Sequence, residues 1–261
     1  MQPCASLREC LPTGKQIATH AGPIAGICRQ FKLPAADIEV WLAPLDADAE
    51  RLERCSMLLS RDERARAEHF HFERDRRRYT VARAMLRTLL GEQTGLSPAA
   101  LVFVQTQYGK PYVSNTPTAI DFNVSHSADL AIYAISRSCV PGVDIESLHR
   151  DIDDDAMAKF FFSQREYAEL QLIPAAARKR AFLTCWTCKE AIVKALGEGL
   201  RLPLDKIEVT VAPDAAPQLL GIPRGRIADW TLYTVDAGSD YVATVAAHRE
   251  TCLNGQPPRR D

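Results

Sequence analysis

Two charged residues stand in or beside the apolar stripe of a helical pattern over residues 178–196, and that placement constrains the rest of the chain. With about 100° per residue and Phe182 as origin, Trp186, Val193 and Gly197 fall within about 60° on one side and Lys189 about 20° on the other. Glu190 falls about 80° round, and Lys194 lies one turn beyond it. A helix packed by one face keeps charges off that face, because burying an unpaired charge is costly. The plainer alternative is a Glu190–Lys194 i,i+4 ion pair on the surface, worth about a few tenths of a kcal/mol. On the helix alone the two readings balance.

A second acidic set tips the balance. In Gly142-Val-Asp-Ile-Glu146, Asp144 and Glu146 alternate with Val143 and Ile145. A strand there puts both carboxylates on one face and both apolar side chains on the other. Paired carboxylates repel unless something positive joins them. With Glu190 added, three oxygen donors could hold a hard cation such as Mg²⁺, which favours carboxylates, water and phosphate oxygens. The competing reading of the acidic pair is a solvated strand end. Two weaker features accompany it. Phe122-Asn-Val-Ser-His-Ser127 ends a strand in hydroxyls and one imidazole, groups able to meet phosphate. Gly109-Lys110-Pro111 sets a cation on a rigid turn.

The remaining sequence sets the frame. The 261 residues allow a sizeable core, and a net charge of −1 gives no global pull toward nucleic acid or membrane. No run approaches the ~18 apolar residues of a membrane span. The start, MQPCASLREC, lacks the basic and apolar regions of a signal peptide. The expectation is a cytoplasmic protein whose eight cysteines are mostly free thiols.

Strands are expected near 38–42, 101–104, 120–124, 130–136, 140–145, 207–211, 230–235 and 241–247, and helices over 61–90, 156–172 and 178–196. A weak repeat lays 83–91 on 189–197, and the same ungapped offset carries Leu101 to Ile207 and Phe103 to Val209. It suggests two related α/β lobes, with residues 1–36 as a loosely attached extension, 37–138 and 139–250 as the lobes, and 251–261 as a disordered tail. The fold class is α+β.

Cys185 and Cys188 have the spacing of a redox dithiol or half a zinc site. A dithiol belongs at a helix N-terminus, whereas this pair lies inside the helical pattern. A structural zinc site needs four ligands, and no second close pair supplies them. Both are read as small, partly buried helix residues.

Taken together, GKPY (109–112), FNVSHS (122–127), GVDIE (142–146), FFSQRE (161–166) and WTCKEAIVKALGEGL (186–200) resemble the 4′-phosphopantetheinyl transferases of the surfactin-synthetase-activating, Sfp-like type. The likeness spans roughly residues 38–250. It implies two pseudo-symmetric lobes with coenzyme A in the cleft between them. It also implies the reaction, in which the 4′-phosphopantetheine arm passes to a serine of an apo acyl or peptidyl carrier protein and adenosine 3′,5′-bisphosphate leaves.

By matching position, the resemblance implies that Asp144, Glu146 and Glu190 hold Mg²⁺, or Mn²⁺, in the C-terminal lobe. Lys194 meets the phosphate being transferred. Ser125 and His126 contact coenzyme A phosphates, and Lys110 and Pro111 flank the adenine nucleotide. Arg78 stands where the family carries a coenzyme A-contacting arginine, with the run Arg76-Arg77-Arg78 leaving the register open. Lys189 binds phosphate or orients Glu190. The general base is Glu190, Glu166 or a metal-bound water. A monomer is implied, without nucleic-acid or membrane partners. The arginine-rich stretch 61–77 is either a surface for an acidic carrier or a solvated helix face. The competing functions are a thiol oxidoreductase using Cys185 and Cys188, and an arginine-rich nucleic-acid-binding module.

Overall fold

A computed structural model describes residues 15–18, 27–33, 36–212 and 215–249. The fold is α+β and is built twice from one plan. The first copy starts with β3 (Ile38–Pro44), then α1 (Ala49–Leu58), α2 (Arg61–Glu68) and α3 (Glu73–Thr94). A small hairpin follows, β4 (Phe103–Gln105) with β5 (Pro111–Val113), and then the antiparallel pair β6 (Asp121–Ser127) and β7 (Leu130–Ser136). The second copy runs β8 (Val140–Ser147), α4 (Asp154–Phe161), α5 (Gln164–Leu172) and α6 (Ala175–Leu196). It ends with the hairpin β9 (Glu208–Val209) and β10 (Leu219–Gly221), then β11 (Trp230–Thr234) and β12 (Tyr241–His248). The sheets have matching orders, β3-β7-β6 and β8-β12-β11. The first is extended past β3 by β2 (Ile27–Leu33) and β1 (Lys15–Ala18).

The repeat differs in register from the ungapped sequence match. Helices α3 and α6 are both 22 residues long, and each ends on a glycine with φ 72°, Gly95 and Gly197. Gly95, not Gly91, is therefore the counterpart of Gly197. The discrepancy is four residues, about one helical turn, which preserves apolar periodicity and lets the wrong register look right. After the helices the sequence match recovers, with Phe103 opening β4 and Val209 lying in β9, because the second connection is longer.

Local signals explain further differences. The expected helix over 61–90 is two helices, because Ser60 and Glu63 form a capping box that starts α2, and the chain leaves helical geometry again before α3. The stretch 156–172 divides likewise at Ser163, whose capping box with Glu166 starts α5. Helix α1, capped by Asp48, lies in a stretch read without structure. The 1–36 segment is not wholly peripheral. Ile27–Leu33 pairs along β3, and Cys28, Phe31 and Leu33 are buried. The expected disordered tail lies outside the described residues.

Strand alternation sorts the core into three layers. Trp41, Ala43, Ala131 and Tyr133 face α1 and α3, while Val242, Ala246 and Leu232 face α6. The opposite faces meet each other. Val40, Leu42, Ile132 and Ala134 of the first sheet pack with Val143, Ile145, Ala243 and Val245 of the second. The two lobes thus share an apolar core between their sheets, with helices outside.

Candidate active site

Where the sheets adjoin, side chains do the stitching. Asn123, Ser125 and Ser127 alternate along β6 toward β8. Asn123 Oδ1 accepts from the Val143 N–H at 2.9 Å. Ser125 Oγ donates to Asp144 Oδ1 at 2.7 Å and Ser127 Oγ to Glu146 Oε2 at 2.9 Å. The hydroxyls of the first lobe therefore fix the carboxylates of the second. The sequence alternation that puts Val143 and Ile145 into the shared core turns Asp144 and Glu146 toward α6.

Gly142 brings that helix close. A Cβ at this position would lie 1.9 Å from Ala191 O and 2.6 Å from Ala195 N, so the α6 backbone rests directly on β8. The contact delivers Glu190 and Lys194 to the acidic strand. Lys194 Nζ donates to Asp144 Oδ1 at 2.6 Å and to Ser125 Oγ at 2.9 Å. The result is a cleft of ≈ 370 Å³ between the lobes. It is lined by Val124, Ser125 and His126 of β6, Asp144 and Glu146 of β8, Phe161 of α4, and Trp186, Glu190 and Lys194 of α6.

The electrostatics are those of carboxylates crowded under partial burial. Desolvation, and then the charge of Asp144, push the carboxyls of Glu146 and Glu190 above the ordinary glutamate value. Desolvation, then Lys194 and Arg78, push the His126 imidazole below its ordinary value. Asp144 Oδ2 is buried without a hydrogen-bond partner, which leaves an acceptor in want of a cation or donor. Among the described residues, no group of three His, Cys, Asp or Glu side chains is already gathered around one point for a metal. Cationic side chains hold the carboxylates instead: Lys194 on Asp144, and Arg150 on Glu146. The orphan oxygen and the mutually repelling carboxyls nonetheless fit a hard, oxygen-seeking cation.

Six of the residues singled out from sequence meet here: Ser125, His126, Asp144, Glu146, Glu190 and Lys194. Arg78 stands near enough to lower the His126 pKa and is paired with Asp129. Four candidates lie elsewhere. Glu166 and Lys189 are both 0% exposed and paired with each other at 2.7 Å. Glu166 accepts the Ser163 and Val209 N–H groups, and Lys189 donates to Leu204 O and Ile207 O. Neither lines the cleft in this conformation, so the expected roles of Glu166 as base and Lys189 as phosphate ligand have no support from their placement. Lys110 Nζ donates to Ala195 O at 2.7 Å, closing the C-terminal end of α6, and Pro111 begins β5. Neither lines the cleft.

Arg150 and Ser127 were not singled out individually. Ser127 was legible from the alternation Asn123, Ser125, Ser127, whereas Arg150 carries no pattern of its own. The cysteine pair is settled by burial. Cys185 and Cys188 are free and 0% exposed. Desolvation pushes the Cys188 thiol up to about 12 and Cys185 well up from its ordinary value. Such thiols are unreactive.

A two-lobed cleft with clustered carboxylates, a lysine and an imidazole suits an enzyme acting on phosphate esters. Residues 141–246 match the model of the 4′-phosphopantetheinyl transferase superfamily, and residues 45–138 that of the 4′-phosphopantetheinyl transferase N-terminal region. The chain is 35% identical over 212 residues to the 4′-phosphopantetheinyl transferase HetI of a Nostoc species, covering 80% of this chain and 87% of that one. It is 32% identical to a 4′-phosphopantetheinyl transferase of Bacillus subtilis, covering 80% and 90%. Identity to the 4′-phosphopantetheinyl transferase Sfp of Bacillus subtilis strain 168 is 32%, covering 63% and 72%. The chain belongs to the 4′-phosphopantetheinyl transferase superfamily. It is an enzyme that moves the phosphopantetheine arm of coenzyme A onto apo carrier proteins. No helix among the described residues is long and apolar enough to cross a membrane.

Proposed function

We propose that this is an Sfp-type, Mg²⁺-dependent transferase acting as a cytoplasmic monomer, with one site in the inter-lobe cleft. The observation that carries the reading is the convergence of Asp144, Glu146, Glu190 and Lys194 with Ser125 and His126 on one cavity. The matching of both lobes to transferase models, and the coverage of Sfp itself, support the Sfp-type assignment. The lobes are assigned to residues 37–138 and 139–250.

Asp144, Glu146 and Glu190 would hold the cation. When bound, it would neutralise charge on the coenzyme A pyrophosphate. An ammonium has three N–H donors, and two of those of Lys194 go to Asp144 and Ser125. The third serves a non-bridging oxygen of the phosphate being transferred, where charge develops. His126, within electrostatic reach of Arg78, faces the 3′-phosphate. The carrier serine oxygen bonds to phosphorus as the pyrophosphate P–O bond breaks. Of the two glutamates considered as base, Glu190 lines the cleft and Glu166 does not, so the serine proton passes to Glu190. Both roles of Glu190 require its ionised form, so activity falls at acid pH where Glu190 takes up a proton.

Incubation with coenzyme A, Mg²⁺ and apo acyl or peptidyl carrier proteins tests the reading. Intact-mass analysis is expected to show one phosphopantetheine added per carrier. Folded enzyme that modifies none of several carrier classes refutes it.

A further inference from the structure

The two lobes repeat a buried device as well as a fold. In each, the capping-box glutamate of the short middle helix pairs with a cation at the fifteenth residue of the 22-residue helix. In the second lobe these are Glu166 and Lys189, at 2.7 Å. In the first they are Glu63 and Arg87, at 2.6 Å. Each cation then reaches the chain beyond its helix. Arg87 donates to Pro98 O and Leu101 O, and Lys189 to Leu204 O and Ile207 O. Three N–H donors of Lys189 meet three oxygens at 2.7–2.8 Å, so the ammonium is saturated.

We propose that the Glu166–Lys189 pair is a positioning device that sets the rotation of α6 and thereby the aim of Glu190 and Lys194 into the cleft. This rests on the reading of those two residues as working groups. Trp186, Glu190 and Lys194 lie about 60°, 100° and 140° round the axis from Lys189. Pinning Lys189 to α5 and to the segment after α6 therefore fixes the whole cleft-facing strip. At the about 5–6 Å radius of a helix with its side chains, a 10° turn moves a terminal group by about 1 Å. A misplacement of that size can lower catalysis by about 10²-fold. A fully buried ion pair contributes little net stability compared with apolar packing, so fixed geometry is the benefit it confers. In α3 the residues corresponding to Glu190 and Lys194 are Thr88 and Glu92, outside the cleft. The first-lobe pair thus anchors a helix without aiming these catalytic groups.

That difference supplies an internal control. Lys189→Met, Lys189→Arg and Arg87→Met are compared for thermal unfolding, and for kcat and KM of coenzyme A in carrier loading, at a temperature where all are folded. Lys189→Met is expected to lose about 10²-fold in kcat with KM changed by less than about threefold. Arg87→Met is expected to cost less thermal stability, because Glu63 keeps Arg83 as a partner, and to keep kcat within about threefold. Lys189→Arg, which borrows the cation of the other lobe, is expected to recover most of the kcat. If Lys189→Met does not fold, Glu166→Gln/Lys189→Met, which removes both charges, is judged by the same criteria. Wild-type kcat in the Lys189 variant, equal kcat loss in Lys189→Met and Arg87→Met, or an effect confined to KM overturns the proposal. Full activity of Glu190→Gln would instead overturn the functional reading beneath it.

Discussion

Gly142→Ala is a substitution of a single methyl group with a large expected consequence. The added Cβ would lie 1.9 Å from Ala191 O, 2.6 Å from Ala195 N and 2.9 Å from Ala195 Cβ. Ordinary contact needs about 3.5 Å, so α6 must withdraw from β8 by about 1.5 Å or the strand must bend away. Two of the three clashes are with backbone, so trimming Ala195 to glycine cannot relieve them. Overpacking of this kind costs about 1–3 kcal/mol. Helix α6 also carries Glu190 and Lys194, and Lys194 binds Asp144 at 2.6 Å across the same contact. A shift of more than 1 Å is therefore expected to lower kcat by about 10²-fold or more. The KM for coenzyme A should change less, because Ser125 and His126 stand on the other lobe. Thermal unfolding and steady-state carrier loading by intact mass measure the two effects. A Gly142→Ala variant with wild-type melting temperature and kcat would refute the claim that helix-on-strand contact builds the site.

Lys194→Met and Glu190→Gln are each expected to lower kcat by at least about 10²-fold, read by the same assay, with the acid limb of the pH–rate profile lost in Glu190→Gln if activity remains measurable. His126 is held below its ordinary pKa by burial, Lys194 and Arg78, so it is mainly neutral at pH 7. A bound phosphate dianion would raise that pKa, so coenzyme A binding near neutral pH should take up a proton. Calorimetry in buffers of different ionisation enthalpy would detect this uptake, and His126→Ala should abolish it. Cys185→Ala/Cys188→Ala is expected to retain carrier loading within about threefold at a temperature where it is folded. The native thiols of Cys185 and Cys188, both 0% exposed, should react with a thiol reagent only on unfolding, as mass mapping would show.

The readable parts of the sequence were those where a chemical conflict is local. Asp144 and Glu146 are two residues apart, so period two alone puts them on one face, and Val143 and Ile145 are buried opposite as that period requires. Lys189 and Glu190 were both conspicuous as charges near an apolar stripe, yet they separate into different roles. Adjacent helix residues point about 100° apart, so one enters the cleft while the other enters the core. Glu166 illustrates the opposite limit. Its capping-box spacing from Ser163 was legible, but its partner Lys189 stands on another helix and its acceptor role for Val209 N–H on a later strand. Only tertiary contact reveals that this carboxylate is already fully engaged.

Duplication of the fold without duplication of the site follows from which side chains fill equivalent layers. In the second lobe, the strand face toward the long helix carries Asp144 and Glu146, and the helix answers with Glu190 and Lys194. In the first lobe, the helix-facing side of β3 carries Trp41 and Ala43, both buried against α3 with Tyr133. That layer is apolar, and Thr88 Oγ1 turns back to Ala84 O within its own helix. The first lobe instead contributes at its edge, through Ser125 and His126 on β6. One lobe therefore supplies the carboxylates and lysine, the other the hydroxyl and imidazole, and the cleft exists only where the two sheets adjoin. Exchanging acidic and apolar strand faces between lobes should then abolish activity rather than move it, because Thr88 and Glu92 stand in the first lobe where Glu190 and Lys194 would be needed.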